Sequence, residues 1–279
     1  MNVSLFGAGF IGGQYISAYP DKAFVQPRGS LASLYPNILY MISTIHNYHP
    51  KDGNPFIDIE TNLWHFMSVL HNSHEAHGDN IIFNLISTWF VYGQTEIPAK
   101  ETSPCNPTGF YSITARAREQ LLISYCETFG LKYRILRLGN VIGVEDKKIS
   151  LKKNALQYFI QELAQGRTIT RYKEGSIRDY IDVRDCVKAI HLVLENGELN
   201  QIYNVANGQG LNVKNLIDHA WRVSGYKSKI EEMEVPQFHK TVQVPTMYMD
   251  ISKIKRLGYV KKHDIKVSIE ELVYHYESE

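Results

Sequence analysis

The stretch Phe6-Gly7-Ala8-Gly9-Phe10-Ile11-Gly12-Gly13 constrains this chain most, because it continues directly from the apolar run Val3-Ser4-Leu5-Phe6. Glycines at 7, 9 and 12 fall where a buried strand gives way to a helix. In such a turn Gly7 permits the tight bend, Gly9 lets a pyrophosphate approach the backbone, and Gly12 lets the helix lie close on the sheet. The unpaired N–H groups at the helix start then face the phosphates. Glycines also mark ordinary βα turns. The strand before and the helix after favour dinucleotide binding, with Gly7, Gly9, Phe10, Ile11 and Gly12 as cofactor contacts.

The rest of the chain alternates short apolar runs with helical patterns. Strands are predicted at Val3–Phe6, Ala23–Gln26, Ile38–Ser43, Ile81–Ser87, Tyr133–Leu138 and Ile202–Val205. Several are apolar on both faces, as a buried parallel sheet requires. Helices are predicted at Ile11–Ala18, Glu60–His71, Tyr111–Phe129, Leu151–Gln165, Val183–Glu195, Val213–Ser224 and Val267–Tyr276. The alternation predicts an α/β fold, a Rossmann-type doubly wound parallel sheet with a smaller C-terminal substrate-binding lobe. Residues 1–140, with returning segments near 175–207, form the NAD(P)-binding domain in this reading, and 141–279 mainly the lobe. The stretch from Pro27 to Asn37 is too short for a full strand–helix–strand unit, so the sheet is expected to be trimmed there.

With 279 residues and a net charge of +1, the chain has enough length for a full core and no global field for nucleic acid or an anionic membrane. Its three cysteines, Cys105, Cys126 and Cys186, are odd in number and widely spaced, as in a reducing cytoplasm. No apolar run reaches the ~20 residues that span a bilayer. A strand starting at residue 3 leaves no room for a secretory leader. The expectation is a cytoplasmic protein.

Four further segments carry chemistry. Ile86-Ser87-Thr88-Trp89-Phe90-Val91-Tyr92-Gly93 ends a strand in hydroxyl residues at the sheet edge where ligands bind in open α/β sheets. Phe110-Tyr111-Ser112-Ile113-Thr114-Ala115-Arg116-Ala117-Arg118-Glu119 opens a long helix. Leu136-Arg137-Leu138-Gly139-Asn140-Val141-Ile142-Gly143 and Gly175-Ser176-Ile177-Arg178-Asp179-Tyr180-Ile181-Asp182-Val183-Arg184-Asp185 follow. Together and in order, with the glycine turn, these segments resemble the extended short-chain dehydrogenase/reductase family, more narrowly its nucleotide-sugar epimerases, dehydratases and 4-ketoreductases. The resemblance covers nearly the whole chain.

The resemblance implies that the Tyr111 phenol exchanges a proton with a sugar oxygen while a nicotinamide exchanges a hydride with the same carbon, and that Thr88 hydrogen-bonds that oxygen. Carbonyl reduction needs both a proton donor and a second donor for the developing oxyanion. The plain structural alternatives are an aromatic residue packing at a helix start and a β-branched residue ending a strand. The family's lysine lies four residues after the tyrosine, where this chain has Ala115. A phenol is a poor base at neutral pH without a nearby cation. Three explanations stand: an engineered substitution, an inactive protein, or replacement by Arg116, Arg118 or another cation. Arg116 lies about 100° round the helix from Ala115, and arginine cannot relay a proton. The first two are therefore preferred, with slow or undetectable turnover. Trp89 and Phe90 occupy the positions of the dehydratases' Asp-Glu pair. That argues against 4,6-dehydration and leaves an apolar wall for the sugar, or core packing.

The predicted second strand ends Phe24-Val25-Gln26-Pro27-Arg28-Gly29-Ser30, without the acid that accepts from NAD ribose hydroxyls. Arg28 and Ser30 suit a 2′-phosphate, so NADP is preferred to NAD, unless Arg28 is simply a solvated arginine. Ser43, ending the third predicted strand, joins the cofactor set. By resemblance, Asn140 hydrogen-bonds the substrate and Arg178 pairs with its diphosphate, the alternative being an ion pair of Arg178 with Asp179 or Asp182. Trp89 joins the substrate set. Lys240, ten residues before Asp250, stands where relatives often carry a phosphate-binding arginine. Asp179, Asp182 and Asp185 are expected to cap and orient the next helix.

His71, His74 and His77 include His74-Glu75-Ala76-His77, one residue short of the zinc-protease spacing, and read as a solvated helix end; no metal site is expected. Lys147, Lys148, Lys152 and Lys153 lack interleaved aromatics and read as a basic loop, not a nucleic-acid surface. Cys126 is expected to be buried and inert. The sequence thus predicts an NADP(H)-dependent nucleotide-sugar 4-ketoreductase of deoxysugar biosynthesis, impaired by Ala115. The alternatives are an NAD-dependent C4 epimerase and a cofactor-binding protein without catalysis. By resemblance, the Tyr111 and Glu60–His71 helices pair across a two-fold axis in a homodimer.

Overall fold

A computed structural model describes residues 2–44, 54–146, 149, 151 and 154–279. In chain order its strands are β1 (Val3–Phe6), β2 (Ala23–Val25), β3 (Asn37–Tyr40), β4 (Ile82–Thr88), β5 (Lys132–Leu138), β6 (Asn140–Ile142), β7 (Ile169–Tyr172), β8 (Ile177–Arg178), β9 (Tyr180–Asp182), β10 (Gln201–Val205), β11 (Leu211–Asn212) and β12 (Ile230–Met233). Its α-helices are α1 (Phe10–Ala18), α2 (Pro55–Ile59), α3 (Phe66–His77), α4 (Phe110–Phe129), α5 (Ala155–Ala164), α6 (Val183–Asn196), α7 (Val213–Val223), α8 (Gln237–Val242), α9 (Ser252–Arg256) and α10 (Ile265–Ser278).

Six strands form one parallel sheet in the order β10-β5-β4-β3-β1-β2. Because successive side chains leave a strand on opposite faces, the sheet feeds two apolar layers. Leu5, Leu39 and Leu136 meet Tyr15 of α1 and Ile190 of α6. Phe6, Ile38, Tyr40 and Ile135 meet Phe66 of α3 and Leu122 of α4. This is the Rossmann-type architecture expected from strands apolar on both faces. Strand β1 lies between β2 and β3, so the chain leaves it in one direction and returns on the other side. The crevice beyond the carboxyl ends of β1 and β3 is the switch point where such sheets bind ligands. No helix joins β2 to β3, so the sheet is trimmed where the short Pro27–Asn37 stretch predicted it.

A third apolar cluster joins Ile160 and Leu163 of α5, Ile217 of α7 and Leu272 of α10. The pairs β6–β9, β7–β12 and β8–β11 lie outside the main sheet and were not anticipated; β6, β8, β9 and β11 are too short to carry a readable alternation. Other boundaries also differ from expectation. The predicted helix over Glu60–His71 is instead α2, a π-helical turn at Glu60–His65, and α3, which runs on to His77. Its start is set by the Asn54 side chain, which accepts the Phe56 N–H, with Pro55 next in line. The helix predicted from Leu151 begins at Ala155; Leu151 is exposed rather than part of the apolar stripe. Strand β3 stops at Tyr40, before Ser43. Lys147, Lys148, Lys152 and Lys153 lie outside the described residues. Among the described residues no helix is long and apolar enough to cross a membrane.

Candidate active site

The glycine turn has the shape a dinucleotide needs. Gly7 adopts φ +103°, and a Cβ on Gly12 would stand 2.1 Å from the Gly7 carbonyl oxygen, so helix and strand touch there. A Cβ on Gly9 would meet nothing within 4 Å, which leaves open space over the start of α1. Gly9 is the N-cap and no side chain caps the helix, so its first N–H groups are available to an anion. Phe10 and Ile11 form the first turn and pack against the core. These features fit a bound pyrophosphate. Arg28 is exposed in the turn just past β2, and the Ser30 N–H closes that turn on the Pro27 carbonyl. Ser43 donates its hydroxyl to Asn62 at 3.3 Å.

At the carboxyl ends of β4 and β5 the substrate-side residues meet. Thr88 is buried at the end of β4, where its Oγ1 accepts the Phe90 N–H at 3.3 Å. The Phe90 ring stands edge-on to half-buried Tyr111, centroids 5.8 Å apart, and stacks on Trp89 at 3.8 Å. Trp89 is only 4% exposed; its Nε1–H donates to Asn140 Oδ1, and the Arg178 guanidinium lies 5.3 Å over its ring. Asn140 donates its amide to the Asp179 carbonyl at 2.9 Å. Thr88, Trp89, Asn140, Arg178 and Tyr111 thus form one linked cluster. Lys240 does not join it by any described contact. It is exposed on α8, whose Val242 accepts the Thr108 hydroxyl just before α4.

Arg178 is buried yet makes no ion pair with Asp179 or Asp182. It donates to the carbonyls of Ile177 and Pro245, and burial lowers its hold on its proton. Asp182 instead caps α6 and binds Arg184, and Asp185 binds the Lys262 and His263 N–H groups. Asp179 does not cap the helix as expected. Its carboxylate accepts backbone N–H groups of Asn207, Gly208 and Met249, and burial still pushes its pKa up to about 7.

Ala115 is completely buried in α4. Arg116, one of the cations considered for the missing lysine, is committed to Glu119 at 2.9 Å, a carboxylate that also binds Arg137 and Ser87. Arg118 is buried as well, and donates to the carbonyls of Ile42 and Ile86. Asn62 was not singled out from the sequence. Fully buried in the π-helical turn, it accepts from the Ser43 hydroxyl and the Thr44 N–H and donates to the Thr114 hydroxyl of α4. Such turns often mark functional sites, but a lone Asn in an apolar pattern gives no sign of one.

The histidine patch lies at the end of α3 with His71 exposed; His71 and His74 hydrogen-bond the Tyr125 hydroxyl, and His77 the Ser33 carbonyl. Cys126 is buried, which pushes its thiol up to about 12. A cavity of about 500 Å³ lined by Asn212, His219, Arg222 and Lys266 contains none of the sequence-predicted site residues. The residues linked through Phe90, Trp89 and Asn140 lie instead at the carboxyl edge of the sheet.

Residues 30–206 match the NAD dependent epimerase/dehydratase family. A putative UDP-glucose 4-epimerase of Methanocaldococcus jannaschii is 27% identical over 222 residues, 79% of this chain and 70% of that protein. The GDP-6-deoxy-D-mannose reductase of Pseudomonas aeruginosa is 31% identical over 149 residues, 51% of this chain and 49% of that protein. The structure of UDP-glucose 4-epimerase from Thermotoga maritima with UDP-glucose superposes with a TM-score of 0.85 at 20% identity, covering 100% of this chain and 99% of that one, a likeness of fold. With a match spanning well over half of its length, carried on a sheet with a dinucleotide-type glycine turn, this chain belongs to the NAD dependent epimerase/dehydratase family.

Proposed function

We propose that the chain is an NADP(H)-dependent nucleotide-sugar 4-ketoreductase. The observation that carries this reading is the linked cluster of Thr88, Phe90, Tyr111, Trp89, Asn140 and Arg178 at the carboxyl edge of the sheet. Thr88 Oγ1 accepts from the Phe90 backbone, which leaves its own hydrogen for a sugar oxygen. Tyr111 gives the proton to that oxygen, and Thr88 holds it as charge develops. Buried Arg178, with no carboxylate partner among the described residues, takes the diphosphate in paired hydrogen bonds, and Asn140 orients the nucleotide portion. Lys240 adds a point charge from α8. Trp89 and Phe90, in place of an acid–base pair, oppose 4,6-dehydration. A nicotinamide cofactor held at the Gly7–Gly12 turn would supply the hydride when bound. The Arg28–Ser30 turn, with no acid at the end of β2, supports NADP over NAD.

The test is oxidation of NADPH, followed by absorbance, with UDP-4-keto-6-deoxyglucose and GDP-4-keto-6-deoxymannose. Slow turnover that falls at least ~100-fold in Tyr111→Phe supports the reading. No turnover of either sugar by the wild-type chain or by Ala115→Lys rejects it. The epimerase names of two similar proteins support a second reading, a C4 epimerase, which tightly bound NAD in the purified protein would favour. Buried Ala115 supports a third, cofactor binding without catalysis. We also propose a cytoplasmic homodimer joined through the Glu60–His71 segment, which is the π-helical turn and the start of α3, and α4; three free cysteines accord with a reducing compartment.

A further inference from the structure

Arg118 lies seven residues past Tyr111 and three past Ala115 on α4. At about 100° per residue, its direction from the helix axis falls within about 20° of that of Tyr111, while Ala115 stands about 40° to the other side. Helical side chains lean toward the N-terminus. That lean brings the guanidinium back toward the turn where Ala115 presents only a methyl group. There Nη1 donates to the Ile42 carbonyl at 2.8 Å and Nη2 to the Ile86 carbonyl at 3.2 Å. Ile42 lies just beyond β3, and Ile86 two residues before Thr88, so the charge sits under the carboxyl edge of the sheet.

Arg118 is 1% exposed, and its buried Nε–H has no hydrogen-bond partner. No carboxylate among the described residues bonds it; neighbouring Glu119 is taken by Arg116, Arg137 and Ser87. A buried guanidinium satisfied only by carbonyls is expensive. Arg134 shows that such a group can be purely structural, but it lies toward the other end of the sheet, donating from β5 to Gly197 and Asn84. Beside Arg118 stands Tyr40, with the guanidinium 6.0 Å from its ring centre. Burial weakens the hold of Arg118 on its proton, and the phenols of Tyr40 and Tyr111 and the carboxylate of Glu119 oppose that effect.

We propose that Arg118 supplies the fixed positive charge missing at Ala115, acting through Tyr111 as a positioning residue and not on the substrate. The inference rests on Tyr111 being the proton donor of the proposed reductase. The charge favours the phenolate that proton donation leaves behind, but it cannot relay a replacement proton. Turnover is therefore slowed and not abolished.

The test reads phenolate character at Tyr111 without needing turnover. The full chain is treated with N-acetylimidazole at neutral pH, and peptide mass spectrometry follows O-acetylation of Tyr111 against the exposed Tyr226 and Tyr274. Arg118→Met is expected to slow acetylation of Tyr111 about tenfold relative to those references, the scale of one unit charge acting through protein. Arg118→Lys is expected to keep most of the rate, because it keeps the charge. The exchange variant Ala115→Lys with Arg118→Ala returns the cation to the nearer turn, and is expected to match or exceed the wild type. An unchanged rate in Arg118→Met, or equal losses in Arg118→Met and Arg118→Lys, would overturn the proposal, the second by showing a mere strap between strands. If Arg118→Met does not fold, the exchange variant decides: a tenfold loss there rejects the proposal. A wild-type chain that oxidises no NADPH with either keto sugar defeats the reductase reading, and the acetylation ratios still decide the role of Arg118.

Discussion

Gly9 and Gly12 lie one helical turn apart but answer to different constraints. A Cβ at Gly12 would stand 2.1 Å from the Gly7 carbonyl oxygen, so Gly12→Ala must push α1 off β1. Overpacking of this kind costs about 1–3 kcal/mol. A Cβ at Gly9 meets nothing, and the backbone there has φ −80°, which alanine adopts freely. Gly9→Ala is therefore expected to keep the melting temperature within about 1 °C yet weaken NADPH binding at least ~10-fold, since its methyl group enters the space left for pyrophosphate. Gly12→Ala is expected to lower both. Thermal denaturation with a fluorescence titration of NADPH separates them, and unchanged NADPH affinity in Gly9→Ala would place the cofactor elsewhere. The family match begins at residue 30, past this turn, so the glycine spacing and its geometry carry that assignment.

The turn between β8 and β9 presents Asp179, which ties three elements together by accepting N–H groups of Asn207 and Gly208, beyond β10, and of Met249. It thereby fixes the backbone beside Arg178. Burial raises its pKa from the usual carboxylate range to about 7. The native state then binds more protons than the unfolded chain between about pH 4 and pH 7. Its stabilising contribution is complete below the unfolded value and is lost as pH rises through that window. Asp179→Asn should remove this slope. It should also destabilise the protein by about 1–3 kcal/mol, because the amide turns a donor toward backbone donors. Urea denaturation of both proteins from pH 5 to 8 checks the two effects, and parallel curves would show that Asp179 does not titrate there. The sequence reading placed Asp179 as a helix cap because Asp before an apolar helical run is a capping signal; Asp182 holds that role, and only the fold reveals which of these two buried carboxyl groups reaches the start of α6. By the same logic, α4 was legible almost to the residue, since its long apolar stripe ends at Gly130 with φ +71°. The π-helical turn holding Asn62 was not, because its distinguishing hydrogen bonds leave no mark on the apolar pattern. Nor could spacing alone show that Arg116 satisfies Glu119 while Arg118 turns under the sheet.

On the whole molecule, large apolar side chains remain exposed along the π-helical turn, α2 and α4. Phe56 and Trp64 are each 64% exposed, and Ile59, Leu121 and Phe129 also face solvent. These elements pack beside one another on one flank of the sheet, and clustered apolar exposure of this kind marks an interaction surface. A net charge of +1 offers little repulsion between two copies. An isologous pairing that buries this flank would leave the carboxyl edge of the sheet open and brace α4, which carries Tyr111 and Arg118 in its first turns. Light scattering after size exclusion is therefore expected to give twice the chain mass of 32.0 kDa. Trp64→Glu combined with Leu121→Glu should shift the protein to a monomer, because each charge would be buried unpaired at the joint. Val260→Glu, at a separate exposed position, should leave the assembly intact. If dimer formation stiffens α4, the monomeric variant should also melt lower, while fresh Trp64→Glu/Leu121→Glu protein still binds NADPH through the untouched glycine turn. A wild-type chain that elutes at 32.0 kDa at micromolar concentration would show instead that this flank does not join two copies of the chain.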